Sequence, residues 1–546
     1  MFASPTSTSW TPGVPHPHRR RILAVLCLSL VVVTVDNTVL NTALPTLARA
    51  LHAGTSGLQW ITDAYTLVFA ASLITAGSLG DRYGRRLALL AGLGVFATGS
   101  IGAALSGGAG TLIAFRAVMG VGGAFVMPAT LSILSGVFPA EERPGAIGAW
   151  SAVAGIGIVI GPTMGGFLLD HFAWGSVFWV NVPLALGAAL AVALVVPELT
   201  PQAASPLDLG GLALVTVALV ALVDAVIEAP SRGWLSPLTV AEGLAAVAAL
   251  GGFVLQELRN EHPMLDVRVF ANRAFSGASG AVALTFFALF GSLFALTQYL
   301  QLVHGYSPLA AGLRALPFAA AMGATSPLSA IAARRLGVRS VVPTGLALMG
   351  IGVGLLSFLH PTTPYLDLVG AVAVMGAGMG LVMAPASEVI MTSVPPERAG
   401  LASAVNDTVR EVGGSLGVAI IGSLVSAGFR SHLATGGLPA AAAHSARSSI
   451  AGAEAVAAHA GTHGAALVAS AHSAYTAGLS YGFKVGAAVA LAGALGAALL
   501  IPRKDHQAST QGRFFPALGA AEGTARNVAT MRDRVAAGSI TSSISK

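Results

Sequence analysis

A chain of 546 residues that is 54% hydrophobic and only 10% charged is excluded from the water-soluble globular class, where about 25% of residues are charged. Its formal net charge of +6 comes without a basic patch interleaved with aromatics, which excludes a nucleic-acid-binding module. A single cysteine, Cys27, excludes an intrachain disulfide and a Cys-based metal site.

Residues 1–20, rich in Pro, Ser and Thr, read as a cytoplasmic tail. Arg19 to Arg21 followed by Ile22 resembles the start of a signal peptide. The apolar run behind it, 22–46, is too long and too polar-studded for one, so it reads as an uncleaved span. Asp36, Asn37 and Asn41 lie inside that run, within about one and a half turns of one another. A charge inside a membrane helix costs at least ~2.5 kcal/mol. That cost marks Asp36 as a titratable group lining a polar pathway, the bland alternative being a carboxylate that only pairs with another helix.

Further apolar segments of spanning length follow at about 58–80, 87–107, 110–138, 146–169, 176–197, 208–228 and 237–257. They resume at about 274–302, 309–332, 338–360, 366–392, 402–428 and 480–501. The fold expected is an all-α integral membrane protein of about fourteen helices. Alternate loops collect the cations (Arg82, Arg85 and Arg86, then Arg143, then Arg334, Arg335 and Arg339), so both termini are expected in the cytoplasm of a multi-pass inner (plasma) membrane protein.

Two loop signals recur. Gly84 of Asp81-Arg82-Tyr83-Gly84-Arg85-Arg86 and Gly337 of Arg334-Arg335-Leu336-Gly337-Val338-Arg339 are 253 residues apart; Gly145 and Gly400, each preceded by Glu-Arg-x, are 255 apart. The chain thus reads as duplicated: a six-helix bundle at 21–199, two inserted helices at 207–257, and a second six-helix bundle at 273–501, then a tail at 502–546. Parallel six-helix repeats fit a rocking transporter with its site between the halves. An Ala-, Gly-, Ser- and His-rich segment at 430–478 reads as a solvated, partly helical external loop, its histidines lacking metal-site spacing.

The remaining charges group by depth. Asp36, Asp63 and Arg116 lie roughly 8–15 Å below one set of helix ends, and Glu388, Asp407, Arg410 and Glu411 at similar depth from the other. Arg116 is expected to neutralise Asp36 or Asp63. Asp407 and Glu411, spaced i, i+4, either carry protons or form an interhelical lock with Arg410. Asp224 and Arg314 read as interfacial anchors. Tyr65 and Gln298 are the candidate polar contacts for a substrate, in a cavity lined by residues such as Phe69, Phe286, Phe287 and Tyr299. On the fifth span Gly157, Gly161 and Gly165 share one face, permitting close helix contact, and Pro162 withholds a donor and favours a kink.

The run Gly77-Ser78-Leu79-Gly80-Asp81-Arg82-Tyr83-Gly84-Arg85-Arg86 closely resembles the signature loop of the major facilitator superfamily. Arg116 with Gly120, Gly122 and Gly123 resembles its helix-four motif, and Gly155 to Gly166 its antiporter motif. Asp36 to Pro45, Leu58 to Leu67, Asn181-Val182-Pro183, and Arg398-Ala399-Gly400 with Asn406, Arg410, Gly413 and Gly414 are similar to the drug:proton antiporters with fourteen helices. Asp63 and Asp407 resemble the branch that exports quaternary ammonium compounds and methyl viologen. Trp174-Gly175-Ser176 departs from the Trp-Arg-Trp of many relatives, and Arg334 stands where the first loop has Asp81. The resemblance implies a cytoplasmic charge relay of Asp81 and Arg85 that latches the outward-open state.

The function expected is proton-coupled export of lipophilic, often cationic compounds by a monomer. Its partners are a small-molecule substrate, protons and the lipid bilayer, with no cofactor and no metal. Asp36, Asp63, Arg116, Glu388, Asp407 and Glu411 are the proton-coupling candidates; Asp36, Asp63, Tyr65 and Gln298 the substrate candidates; and Asp81, Arg82, Arg85, Gly157, Gly161, Pro162, Gly165 and Arg410 the conformational ones. The competing readings are export of one endogenous metabolite or antibiotic, a nutrient symporter, and a membrane enzyme on lipid-linked substrates. The chain lacks a Gly-x-x-x-x-Gly-Lys phosphate loop, which favours an ion gradient over ATP.

Overall fold

The computed structural model describes residues 16–139, 142–198, 208–260, 263, 265–394 and 399–502; the side chains of some helical residues, Asp81 among them, also lie outside the description. The expectations for residues 1–15, 503–546 and Arg398 therefore fall outside the described residues. Long apolar runs with no water to satisfy their backbone close their hydrogen bonds within the segment as helices, and the described residues form helices joined by turns and loops, with no strand. Fourteen long helical segments follow one another. In the first half they are α1 (Arg19–Ala50), α2 (Thr55–Tyr83), α3 (Arg85–Ala104), α4 (Ala109–Val137), α5 (Arg143–His171) and α6 (Ser176–Val195). Next come α7 (Leu209–Arg232) and α8 (Pro237–Arg259). The second half holds α9 (Arg273–Val303), α10 (Pro308–Leu336), α11 (Val338–Leu356), α12 (Tyr365–Thr392), α13 (Ala399–His432) and α14 (Gly464–Leu500). Among the described residues, 12 are long and apolar enough to cross a membrane; α2 and α5, of 29 residues each, complete the set by length.

The halves repeat one packing scheme. α1 packs on α5, α2 and α3 on α4, and α3 and α1 on α6; in the same places α9 packs on α13, α10 and α11 on α12, and α11 and α9 on α14. The loops repeat as well. Gly84 and Gly337 end α2 and α10 at φ 108° and 81°, backbone that glycine adopts without steric cost. Between the halves, α2 meets α13 and α5 meets the start of α10, an exchange that respects the same pseudo-symmetry. α7 lies over the α2–α13 seam, where Val223 and Ile227 bury against Leu67 and Ala419. α8 makes its main contact with α7.

Three elements differ from the sequence reading. α14 starts at Gly464, well inside the segment read as a loop, because Leu467, Ala471, Ala474 and Tyr475 bury on one face while Ser470 and Ser473 dilute the local hydropathy. The rest of that segment holds two short helices, Ala440–Ser448 and Ile450–Ala457. α10 is broken at Arg314 and Ala315, and α9 ends in a π-helical turn over Tyr299–Val303, a distortion that recurs at functional places in helices.

Hydrogen bonds that join the halves, with both partners among the described residues, lie at the end opposite the chain termini. Gln301 donates to the Thr42 carbonyl (2.8 Å), Gln59 to the Val418 and Ala419 carbonyls (3.0 and 2.9 Å), and Ser307 to Asp170 (2.9 Å). Arg49 of α1 bridges to Glu454 in the second short helix at 3.2 Å. That end of the molecule is closed.

Candidate functional site

Two groups of buried charge emerge. The first lies inside the N-terminal half. α1 presents Asp36 to α4 and α6, where its carboxylate accepts from Arg116 Nη1 at 2.5 Å and from Asn181 Nδ2 at 2.7 Å. Arg116 also donates Nε to the Ile61 carbonyl (3.2 Å) and lies over the Tyr65 ring at 4.4 Å. Asn181 extends the network to Ser100, which donates to the Phe178 carbonyl. Asp36 and Arg116 are 2% and 1% exposed, so water does not screen the pair. The sequence reading has Asp36 as a buried titratable group lining a polar pathway, with Arg116 neutralising either Asp36 or Asp63. In the fold Arg116 pairs with Asp36, because α4 brings it to the same depth, and α6 adds Asn181 as a second donor.

The second group lies between the halves. Asp63 of α2, fully buried, faces Ser415 of α13, and neither carboxylate oxygen has a hydrogen-bond partner among the described residues. Asp407, Glu411 and Ser415 follow at i, i+4 and i+8, a polar stripe down one face of α13. Arg410 is 3.4 Å from Asp407 and sits over the Phe286 ring at 4.8 Å. Glu411 leaves Oε2 unpaired and lies within electrostatic reach of Tyr65. Tyr65 thus relates the two groups: its ring lies against Arg116, and it feels the charge of Glu411. With Asp63 of α2, the group sets three carboxylates against the one guanidinium of Arg410 among the described residues.

The other sequence candidates take varied places. Glu388 is exposed on α12, next to Ser387, which donates to Asn406 of α13 at 3.3 Å. Gln298 spends its amide on the Phe294 carbonyl of its own helix. Gln59 and Gln301, which the sequence did not single out, span the halves instead; Gln59 alone could have been found, as the polar residue one turn before Asp63. The glycine face of α5 meets α1: a Cβ at Gly157 would strike Thr34, one at Gly161 Thr38, and one at Gly165 would lie 3.1 Å from Val39. Thr38 donates to the Gly157 carbonyl at 3.1 Å. Pro162 packs its carbonyl against Gly312 of α10. Asp224 joins Arg232 at 3.1 Å, with Glu242 on the same guanidinium at 3.0 Å.

Around the signature loop, Arg85 donates to the Ser132 carbonyl (3.2 Å), while Arg82 is exposed. The Asp81 side chain lies outside the described residues. Glu198, beyond the end of α6, was not anticipated: its carboxyl faces the backbone N–H of Arg86 at the start of α3 and lies against Gly84. Burial pushes that carboxyl above its usual range, against the pull of the Arg86 N–H and charge.

Residues 26–418 match the family model described as the Major Facilitator Superfamily. A "Tetracenomycin C resistance and export protein" of Streptomyces glaucescens is 33% identical over 521 residues, 94% of this chain and 96% of that one. A "Multidrug resistance protein Stp" of Mycobacterium tuberculosis is 37% identical over 413 residues, 75% of this chain and 77% of that protein. The "Methyl viologen resistance protein SmvA" of Salmonella typhimurium is 35% identical over 409 residues, 74% and 82%. Among solved structures, a bacterial homolog of the human lysosomal transporter Spinster superposes with a TM-score of 0.65 at 20% identity, covering 89% of this chain and 97% of that one.

Proposed function

The chain belongs to the major facilitator superfamily, and we propose that it is a proton-coupled antiporter exporting lipophilic, mostly cationic compounds across the plasma membrane. It works as a monomer, since one chain supplies both halves, and both termini face the cytoplasm, in keeping with the cationic loops. The fold and family are those of transporters, and the relatives above are named for drug resistance and export.

One observation carries the coupling: Asp63, Asp407 and Glu411 stand along the seam with Arg410 as the one guanidinium of the stripe. Isolated buried carboxylates are costly unless protonated or paired. The stripe therefore binds either protons or a cation, and occupancy by one weakens the other. That competition is antiport. Asp36, neutralised by Arg116, fixes the helices around Tyr65 and leaves the exchange to the seam.

With the termini inside, the closed end is the external one, so this state receives substrate from the cytoplasm. Opening outward requires Gln59, Gln301 and Arg49 to release their partners across the halves. Protons arriving from outside then discharge the cation.

A narrower reading, export of one endogenous antibiotic, is favoured by the 94% coverage of this chain by the tetracenomycin C relative. Efflux from proteoliposomes under an imposed pH gradient, over a series of cationic and neutral compounds, tests both. Efflux of several unrelated cations supports the broad reading, and efflux of one compound the narrow one. Efflux indifferent to the pH gradient overturns proton coupling.

A further inference from the structure

At the external end of the C-terminal half, the break in α10 carries a cation with unusual company. The Arg314 guanidinium carbon lies 3.6 Å from the centre of the Tyr306 ring and 4.9 Å from that of Tyr365. Its Nη1 donates to the Ala310 carbonyl (2.9 Å), its Nε is buried without a partner, and no carboxylate pairs with it among the described residues. The rings are themselves held in place. Tyr365 donates to the Arg314 carbonyl at 3.1 Å, and His304 stacks on Tyr306 at 5.5 Å and 18°. His304 in turn bonds the Tyr299 hydroxyl at 2.8 Å, at the π-turn of α9. Burial, and then the charges of Arg314 and His472, hold the His304 imidazole below its ordinary range, so it stacks as a neutral ring.

A positive charge balanced by ring faces instead of an acid is cation–π recognition, and a flat or lipophilic organic cation offers the same chemistry. The segment is also placed to release it. Gly312, two residues before Arg314, abuts the Pro162 backbone, and Leu309 abuts Gly166, so outward opening of α5 from α10 moves the stretch that carries Arg314. We infer that Tyr306 and Tyr365 form an exit subsite for a lipophilic monovalent organic cation, which Arg314 occupies as a tethered stand-in while the external end is closed. The departing cation takes the rings as Arg314 swings away, and Arg314 reclaims them on closure. This rests on the exporter reading above.

The test is equilibrium binding of tetraphenylphosphonium to the full chain in lipid nanodiscs, in an Asp63→Asn background that weakens the seam. Adding Arg314→Gln vacates the rings and should tighten binding about 5-fold, the scale of one cation–π contact. Adding Tyr306→Leu to that variant should return the affinity to its starting value, and neutral triphenylphosphine oxide should not respond. Unchanged affinity in Arg314→Gln, or a gain that survives loss of both rings, overturns the subsite. Should Arg314→Gln not yield folded protein, Arg314→Lys keeps the charge but covers the rings less, and should show a smaller gain; no gain again overturns it. Tetraphenylphosphonium export by the unaltered chain is measured alongside. Export without the binding gain rejects the subsite alone, whereas a gain without export upholds the subsite and rejects the exporter reading.

Discussion

The two halves share a skeleton and differ in charge. On α5, Gly157 and Gly161 admit Thr34 and Thr38 of α1; on α13, Gly413 and Gly417 admit the Ala283 and Phe287 backbone of α9. On α4, Gly120 abuts the Tyr65 carbonyl, and on α12 Gly376 abuts the Phe318 carbonyl. Stepping back one turn from these glycines gives Arg116 in the first half and Val372 in the second. Two residues before Thr38 stands Asp36, and two before Phe287 stands Thr285, whose hydroxyl bonds its own helix. The close contacts are thus duplicated, whereas the Asp36–Arg116 pair has no counterpart at the matching places, Thr285 and Val372. In the second half the charge has moved along the chain to Asp407 and Glu411, which face the seam. Packing is the repeated part of the architecture; charge placement is where the halves differ.

The largest expected effect breaks the charge asymmetry. Arg116→Met leaves Asp36 buried beside Asn181 alone and should destabilise the chain by about 3–5 kcal/mol. The double change Asp36→Leu with Arg116→Met should recover much of that stability without restoring export. Thr285→Val, at the matching place in the other half, should cost under about 1.5 kcal/mol. Thermal unfolding in detergent measures all three, and an equal loss in the two halves would dissolve the distinction.

Next comes the shared skeleton. Gly161→Leu and Gly417→Leu should each cost about 1–3 kcal/mol by overpacking and leave the protein misfolded or leaky to protons. Yield of monodisperse protein and decay of a pH gradient in proteoliposomes report this. A harmless Gly417→Leu would show that only the first half depends on its glycine face.

Asp63→Asn addresses the seam. Removing one charge costs a dication roughly twice the Coulomb attraction it costs a monocation, so efflux should fall most for a dication, less for a monocation and least for a neutral analogue. Equal losses would assign Asp63 to coupling or structure instead of substrate charge. The smallest effect belongs to Glu388→Gln. As an exposed group, it should shift stability by under about 0.5 kcal/mol and leave the pH dependence of efflux unchanged, whereas Glu411→Gln should alter it. A changed profile in Glu388→Gln would return that residue to the coupling set.

Sequence by itself determined the membrane, the helices and the duplication. Those properties are written in composition, in the length of apolar runs and in loop spacings, none of which needs a partner to be recognised. It also found the acids, because an intramembrane charge is too costly to be incidental. Their partners came only with the tertiary structure. Whether Arg116 would meet Asp36 or Asp63 depends on how α1, α2 and α4 are rotated about their axes, since residues at one depth can point to opposite sides of a helix. Asn181 reaches Asp36 across 145 residues of chain, and two glutamines of α9 are told apart by direction alone: Gln298 turns into its own helix and Gln301, less than one turn later, crosses to α1. The π-turn at that point shifts the facing of everything after it. Depth along a helix is a one-dimensional quantity that sequence carries; facing is settled when the helices pack.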